Sequence, residues 1–161
     1  IHLSTGDIFR ANIKGETDLG IMAKNFMDKG ELVPDEVTIK MLESEVNKYP
    51  DSSGFIFDGF PRTTYQAQKL DEFLTSKSTS ITKMIALDVP EQQLISRLLS
   101  RGKASGRADD QNKDIIVNRI KVYENQTAVL ADYYRAQNKL SKVNGIGTVD
   151  EVTDRLYHVI D

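Results

Sequence analysis

Four of the chain's eight arginines lie within 23 residues, between positions 97 and 119. A guanidinium group binds phosphate or carboxylate through two parallel hydrogen bonds, whereas lysine is the commoner base on a merely solvated surface. The spacing indicates phosphate binding and salt bridges to nearby acids, such as Asp109 and Asp110, equally well. The four residues are Arg97, Arg101, Arg107 and Arg119.

Arg97 and Arg101 are four residues apart in a helix that we predict from Glu91 to Arg101. They therefore project from one face near its C-terminal end. The next segment, Gly102–Gly106, contains two glycines and a serine and is predicted to be a mobile loop. Such a loop closes arginines over a polyphosphate and excludes water. The alternative is that basic residues merely complement the C-terminal end of a helix dipole.

A second candidate site follows an apolar run, where Phe55–Phe57 leads directly into Asp58-Gly59-Phe60-Pro61-Arg62. In parallel α/β sheets, ligands bind beyond the carboxyl ends of the strands. An acid at that point can hold Mg²⁺ through water, and Arg62 can bind a phosphate. An ordinary Asp-Gly turn beside a solvated arginine is the alternative.

The elements that must position these side chains alternate along the chain. Short apolar, mostly continuous runs predict buried parallel strands, and longer segments with helical periodicity separate them. This order predicts an α/β fold with a parallel sheet that is covered on both faces. The predicted strands are Ile1–Leu3, Gly54–Phe57, Met84–Val89 and Lys142–Ile146.

Local signals mark several helix ends. Ser4 is a predicted helix cap with Asp7 three residues later, Gly30 a predicted helix stop, and Pro34 a first-turn residue of the next helix. Residues 111–137 contain neither glycine nor proline and are predicted to be one long helical stretch.

Composition limits the class of protein. With 161 residues, 39% hydrophobic and 28% charged, the chain is expected to form one compact domain. It has no cysteine and two distant histidines, which argues against a zinc site. The net charge of −3 argues against nucleic-acid binding, and no apolar run is long enough to cross a membrane. Nothing marks the chain for secretion, so we expect a cytoplasmic protein.

Four collinear motifs strongly resemble adenylate kinase, and the resemblance covers essentially the whole chain. It implies a three-layer α/β fold, that of the P-loop nucleoside monophosphate kinases, with a parallel five-stranded sheet. Residues 1–161 would form one core, with an AMP-binding helical insertion at 4–33 and a short lid at 101–111; without cysteine, this lid would hold no zinc. The motifs are Ser4–Arg10, Gly30–Glu36, Asp58–Arg62 and Ser105–Asp110.

The resemblance also implies a role for individual residues. The catalytic set would be Arg62, Arg97, Arg101, Arg107, Arg119 and Asp58, with Asp58 organising water bound to Mg²⁺. Positions that match AMP contacts are Thr5, Arg10, Glu31, Leu32, Val33, Gly59, Arg62, Gln66, Arg107 and Arg119. Arg101 and Gly147 match ATP contacts, and Asp109 and Asp110 match acids that anchor the lid.

The implied reaction is reversible transfer of the γ-phosphoryl group of Mg-ATP to AMP, which gives two ADP in a cytoplasmic monomer without nucleic-acid or membrane partners. A UMP/CMP kinase is the nearest alternative; such enzymes typically carry a small residue without a hydroxyl where this chain has Thr5. A non-catalytic nucleotide-binding module is the alternative from another class.

One family motif is absent. The glycine-rich phosphate loop, Gly-x-x-Gly-x-Gly-Lys, occurs nowhere in the 161 residues. We therefore expect an N-terminal truncation of about 25 residues, which would hold this loop and a central strand. Residues 1–161 alone are then expected to be inactive.

Overall fold

The computed structural model describes residues 1–160, in which short strands alternate with helices. The strands are β1 (His2–Ser4), β2 (Ile56–Asp58), β3 (Met84–Asp88) and β4 (Leu140–Asn144). The helices are α1 (Thr5–Lys14), α2 (Asp18–Met27), α3 (Asp35–Asn47), α4 (Thr64–Ser76), α5 (Glu91–Ser105), α6 (Lys113–Val122), α7 (Leu130–Arg135) and α8 (Val149–Ile160). A 3₁₀ turn spans Ala108–Asp110, and a π-helical turn spans Tyr123–Thr127.

All four strands lie in parallel pairs. β1 pairs with β2 so that Ser4 is opposite Asp58, and β3 pairs with β4 so that Asp88 is opposite Asn144. The fold is therefore the predicted α/β class, with parallel strands connected through helices. Within residues 1–160 the two pairs are not joined into one sheet. A central fifth strand stays a prediction.

The hydrophobic core lies beside the first strand pair. Leu3 of β1 packs with residues of α3 and α4, among which Leu42, Leu70 and Leu74 are almost completely buried. A second cluster joins α1, α2 and α3, and a third joins α4 to α7. α1, α2, α3, α4 and α7 each contribute apolar residues to these clusters, whereas α8 buries none of the stripe that its periodicity predicted. These clusters hold α1, α4 and the β2–α4 turn in fixed relation.

The residues that were predicted to mark helix ends are largely confirmed in that role. Ser4 caps α1 because its hydroxyl accepts a hydrogen bond from the Asp7 amide. Gly30 has a positive φ of 74°, three residues after α2 ends. Pro34 is the N-cap of α3 rather than a first-turn residue. The strands begin or end up to two residues from their predicted bounds, as is usual for short elements.

Two helix predictions need correction. α5 continues through Ser105 instead of ending at Arg101, so most of the predicted mobile loop is helical. Gly102 lies within the helix and packs against the 3₁₀ turn, where an added Cβ would lie 2.4 Å from the Asp110 carbonyl oxygen. The helix ends at Gly106, whose φ of 68° suits glycine. The predicted long helix at 111–137 is also interrupted, by the π turn.

The helices are too short or too polar to span a bilayer. In the part of the chain that the structure describes, none combines 18 residues with sufficient apolar character.

Candidate functional site

Three of the four clustered arginines converge on one buried acid. Asp110 is fully buried, and its carboxylate accepts a hydrogen bond from Arg101 Nε at 2.6 Å and another from Arg119 Nη1. Arg107 Nε lies 3.5 Å from the same carboxylate, and Asp109 contacts both Arg107 and Arg119. Without a bound ligand, the arginines therefore form the salt bridges that were one of the two alternatives.

The electrostatics of Asp110 follow from this geometry. Burial by itself raises the pKa of Asp110, but the hydrogen bond from Arg101 and the charges of all three arginines outweigh it. The pKa therefore lies below its usual value, and the carboxylate stays ionised at neutral pH. Two carboxylates hold three guanidinium groups, so the cluster keeps a positive excess that favours a further anion.

The β2–α4 turn supplies a fourth arginine. Gly59 has a φ of 72°, a conformation that favours glycine, and its carbonyl accepts hydrogen bonds from Arg62 Nε at 2.7 Å and from the Thr5 hydroxyl at 3.0 Å. A Cβ at Gly59 would lie 2.9 Å from Arg62 Nη2. The side chain of Arg62 is therefore packed directly over the turn.

The cations of different elements lie near one another. Burial lowers the pKa of Arg62, and the positive charges of Arg119 and Arg10 lower it further. Asp7 has a lowered pKa because of its hydrogen bond from Arg10, and the charge of Arg107 adds to that shift. Residues from α1, the β2–α4 turn, the 101–111 segment and α6 thus share one electrostatic environment. Such a concentration of guanidinium groups suits a polyanion.

Asp58 lies at the carboxyl end of β2, as predicted, and it is exposed. One carboxylate oxygen is 3.4 Å from His2 Nε2. Among residues 1–160, no group of three or more acids and histidines is arranged to hold a metal by itself. A single accessible carboxylate fits Mg²⁺ that keeps most of its waters and arrives with phosphate.

Gln66 is almost completely buried at the start of α4, and both ends of its amide are engaged. Its Oε1 accepts from the Arg62 amide at 2.7 Å, and its Nε2 donates to Asp35 Oδ1 at 2.8 Å. Thr63 also donates to Asp35, at 3.1 Å. Gln66 therefore joins α3 to the turn that carries Arg62.

The segment Glu31–Val33 connects α2 to α3 beside α6. Val33 is buried, whereas Glu31 is exposed. The segment is held against α6 because Asn118 donates a hydrogen bond to the Lys29 carbonyl at 2.7 Å. The predicted AMP-contact segment thus lies next to the helix that carries Arg119.

Two predicted residues lie elsewhere. Arg97 Nη1 donates to the Gly145 carbonyl at 2.7 Å, so it contacts the loop after β4 rather than the acids Asp109 and Asp110. Gly147, in the same loop, has a φ of 124° and lies against Glu151. Arg97 of α5 therefore contacts the loop that follows β4 and contains Gly147.

A sequence model of the family described as "Adenylate kinase" matches residues 1–139. The chain belongs to the adenylate kinase family. The predicted resemblance is thus confirmed over most of the chain, and the protein is a phosphotransferase. Its parallel strands and clustered arginines agree with that assignment.

Curated adenylate kinases are similar to this chain over nearly its full length. The Flavobacterium psychrophilum protein is 59% identical and the Flavobacterium johnsoniae protein 56% identical, each over 99% of this chain and 84% of the relative. The Bacteroides fragilis adenylate kinase is 45% identical, again over 99% of this chain and 84% of the relative.

Three residues that contact the site were not predicted from the sequence. Asp35 orients Gln66, Asn118 holds the α2–α3 connection, and Thr127 donates a hydrogen bond to the Arg62 carbonyl. Asp35 follows Pro34 within a family motif, which was an available signal. Asn118 and Thr127 lie in an uninterrupted helical pattern, where nothing distinguishes them from surface residues.

Proposed function

We propose that the convergent arginines bind the phosphates of two nucleotides and that the enzyme transfers the γ-phosphoryl group of ATP reversibly to AMP. The observation that carries this proposal is the joint electrostatic environment of Arg10, Arg62, Arg107 and Arg119 beside the carboxyl end of β2. Phosphoryl transfer needs little covalent chemistry from the protein, and positioning with charge neutralisation supplies most of the rate enhancement.

AMP would bind between the 4–33 insertion and the β2–α4 turn. Arg10 and Arg62 would take its phosphate, while Thr5, Gly59 and the Glu31–Val33 segment would form the pocket. Gln66 would contact the adenine with the amide hydrogen that remains beyond its hydrogen bond to Asp35. The engagement of Gln66 by Asp35 and by Arg62 supports this role, because it fixes which end of the amide is the donor.

ATP would bind on the other side of the arginine cluster. Arg101, Arg107 and Arg119 would leave Asp109 and Asp110 in part to contact the transferring phosphates, and the 101–111 segment would act as the lid. Arg97 and Gly147 would contact the adenosine end, since both lie in or against the loop after β4. Asp58 would hold water molecules of Mg²⁺, which, when bound, neutralises charge on the phosphates.

The roles of the acids are distinct. Asp110 keeps three arginines together before the nucleotides arrive, because otherwise their mutual repulsion would separate them. Asp109 contacts Arg107 and Arg119 from the edge of the same cluster. The protein thus carries a preorganised cationic site in which phosphate oxygens replace carboxylate oxygens during transfer.

A coupled assay of ADP formation tests the proposal in the full-length gene product, with AMP, UMP and CMP compared as acceptors. We expect AMP to be preferred, and we expect Thr5→Ala to raise the KM for AMP more than that for ATP. Equal turnover of UMP and AMP would favour the UMP/CMP kinase alternative. Nucleotide binding without turnover would favour a non-catalytic module.

A cytoplasmic location and a monomeric state complete the proposal. Fractionation of cells and size-exclusion chromatography with light scattering test these two points directly.

A further inference from the structure

The helix that carries Arg119 is not a continuous α-helix. Between α6 and α7, the π turn Tyr123–Thr127 is closed by a hydrogen bond of 2.8 Å from the Ala128 amide to the Tyr123 carbonyl, a five-residue step. A π turn takes up about one residue more than an α turn and is often found at functional sites. The residue at its end is Thr127.

The extra residue changes which side of the helix Thr127 occupies. Arg119 and Thr127 are eight positions apart, which in a regular α-helix of 100° per residue places them about 80° apart around the axis. When one residue is absorbed by the π turn, the difference falls to about 20°. The π turn therefore brings Thr127 to the side of the helix from which Arg119 projects.

Thr127 uses this position to hold the main chain of Arg62. Its hydroxyl donates a hydrogen bond of 2.7 Å to the Arg62 carbonyl, across 65 residues of sequence. The amide of the same residue donates to Gln66 Oε1 at 2.7 Å. The peptide groups on both sides of Arg62 are thus fixed, one by α4 and the other by the α6–α7 helix.

This arrangement opposes a repulsion within the site. Arg62 and Arg119 are close enough for the charge of one to affect the other, and Arg62 is carried by a turn rather than by a helix. Like charges without a bound anion favour separation of the turn from the helix. A hydrogen bond from the helix of one arginine to the backbone of the other resists that movement.

We propose that Thr127 is a positioning residue that sets the Arg62 guanidinium group in register with Arg119 for the phosphate of AMP. The inference rests on the proposed function, because it takes Arg62 as a phosphate ligand. Thr127 touches neither nucleotide in this scheme and acts only through Arg62. The π turn then has a function, because without it the hydroxyl would leave the Arg62 side of the helix.

The test compares Thr127→Val, which removes the hydroxyl at nearly constant shape, with Thr127→Ser, which keeps it. In the full-length gene product, we expect Thr127→Val to lower kcat/KM for AMP about tenfold or more, with little change in the KM for ATP. Thr127→Ser should recover most of that loss. Thr153→Val is the matched control, because Thr153 of α8 donates only to the Val149 carbonyl of its own helix; we expect no change.

A double-mutant cycle separates positioning from general stability. In an Arg62→Ala background, Thr127→Val should cause less than a threefold further loss, because the group that it positions is absent. A full additional tenfold loss there, an unaffected Thr127→Val enzyme, or a Thr127→Ser enzyme as poor as Thr127→Val would overturn the inference. Thr127→Ala, which also removes the hydroxyl, replaces the valine variant if that variant does not fold.

An assay of the unsubstituted protein distinguishes failure of the proposed function from failure of the role of Thr127. If the wild-type protein does not phosphorylate AMP, the proposed function fails. If it does so and Thr127→Val is equally active, only the role of Thr127 fails.

Discussion

At the scale of single residues, the site is an arginine cluster that the protein neutralises in part with its own acids. Asp110 contacts Arg101, Arg107 and Arg119, and Asp109 contacts two of them. The two alternatives for the arginine pattern, phosphate binding and salt bridges, are thus compatible. Under the proposed function, phosphate oxygens would replace carboxylate oxygens on the same guanidinium groups.

The first prediction concerns three of these arginines. Changing Arg62, Arg107 or Arg119 to Ala should lower kcat/KM by about 10²–10³ or more, because each change removes a charged contact to the transition state. Lysine should not restore the rate fully, since it lacks the paired donors of a guanidinium group. Steady-state kinetics with both nucleotides varied provide the measurement. Losses of tenfold or less in all three alanine variants would mean that these are surface charges.

The second prediction concerns Asp110. We expect Asp110→Asn to lower the free energy of unfolding by about 1–3 kcal/mol at pH 7, because three guanidinium groups lose an anionic partner. The folded-state pKa of Asp110 is lowered, so its contribution is present above the unfolded value of about 3.9 and is lost as the pH falls through the folded value. The difference between wild type and variant should therefore shrink below about pH 4.

Denaturant unfolding of both proteins from pH 7 to pH 2.5 measures this difference. Asp51→Asn is the matched control, because Asp51 is an exposed acid in the turn after α3. A difference between wild type and Asp110→Asn that does not change with pH would contradict the role of the Asp110 charge.

At the scale of elements, the β2–α4 turn is tied both to α1 and to Arg62, the two sides of the proposed AMP site. Its Gly59 carbonyl receives hydrogen bonds from α1, through Thr5, and from Arg62. The turn is tight because Gly59 adopts a φ of 72° and because Arg62 and Thr5 occupy the space where a side chain would be. Both the positive φ and the close packing of Arg62 and Thr5 therefore favour glycine at position 59.

The third prediction follows from that turn. Gly59→Ala should destabilise the fold by about 1–2 kcal/mol, the usual cost of a left-handed conformation for a residue with a Cβ, and should raise the KM for AMP by displacing Arg62. Gly54→Ala is the matched control, because a Cβ at Gly54 would meet nothing within 4 Å and its φ is not positive. Thermal melting and kinetics check both effects. Equal behaviour of the two variants would show that the turn tolerates a side chain.

At the scale of the whole molecule, the described strands form two separate parallel pairs. Strands of a parallel sheet are ordinarily buried on both faces, yet Ile56 of β2 and Leu87 of β3 are 66% and 50% exposed. In α8, Val149, Tyr157 and Ile160 are also exposed. Residues 1–160 thus leave apolar surface on strands and on a helix uncovered.

The fourth prediction concerns residues 1–161 expressed alone. We expect no appreciable phosphotransfer, because no segment of this sequence supplies the backbone amides and the lysine of a phosphate loop. We also expect marginal stability, since the free energy of unfolding is only about 5–15 kcal/mol in ordinary proteins. Unpaired strand edges and exposed apolar faces reduce it. Binding of AMP is expected to persist in part.

A coupled ADP-formation assay and thermal melting of the purified polypeptide test this prediction. The positive control is the whole Flavobacterium psychrophilum adenylate kinase, assayed in parallel. A cooperative melt with near-normal turnover in residues 1–161 alone would contradict our account of the ATP site.

Much of this protein is determined by local sequence. Continuous apolar runs indicate parallel strands, and Ser4 and Gly30 mark helix boundaries through hydrogen bonding and backbone freedom. The family motifs single out Arg10, Arg62 and Arg107, whereas the spacing of the clustered arginines fits salt bridges and phosphate binding equally well. The α/β class is therefore predictable without coordinates, whereas the roles of the candidate site residues stay predictions.

The tertiary structure decides what depends on contacts between distant segments. Gly102 lies inside α5 in close contact with the backbone at Asp110, and Thr127 reaches Arg62 where a π turn interrupts the helix. Neither effect has a local signal, since glycine usually favours a loop and the residues of a π turn resemble those of any helix. Which arginines share an acid is likewise decided by packing, because Arg101 of α5 and Arg119 of α6 both reach Asp110 only when the two helices dock beside it.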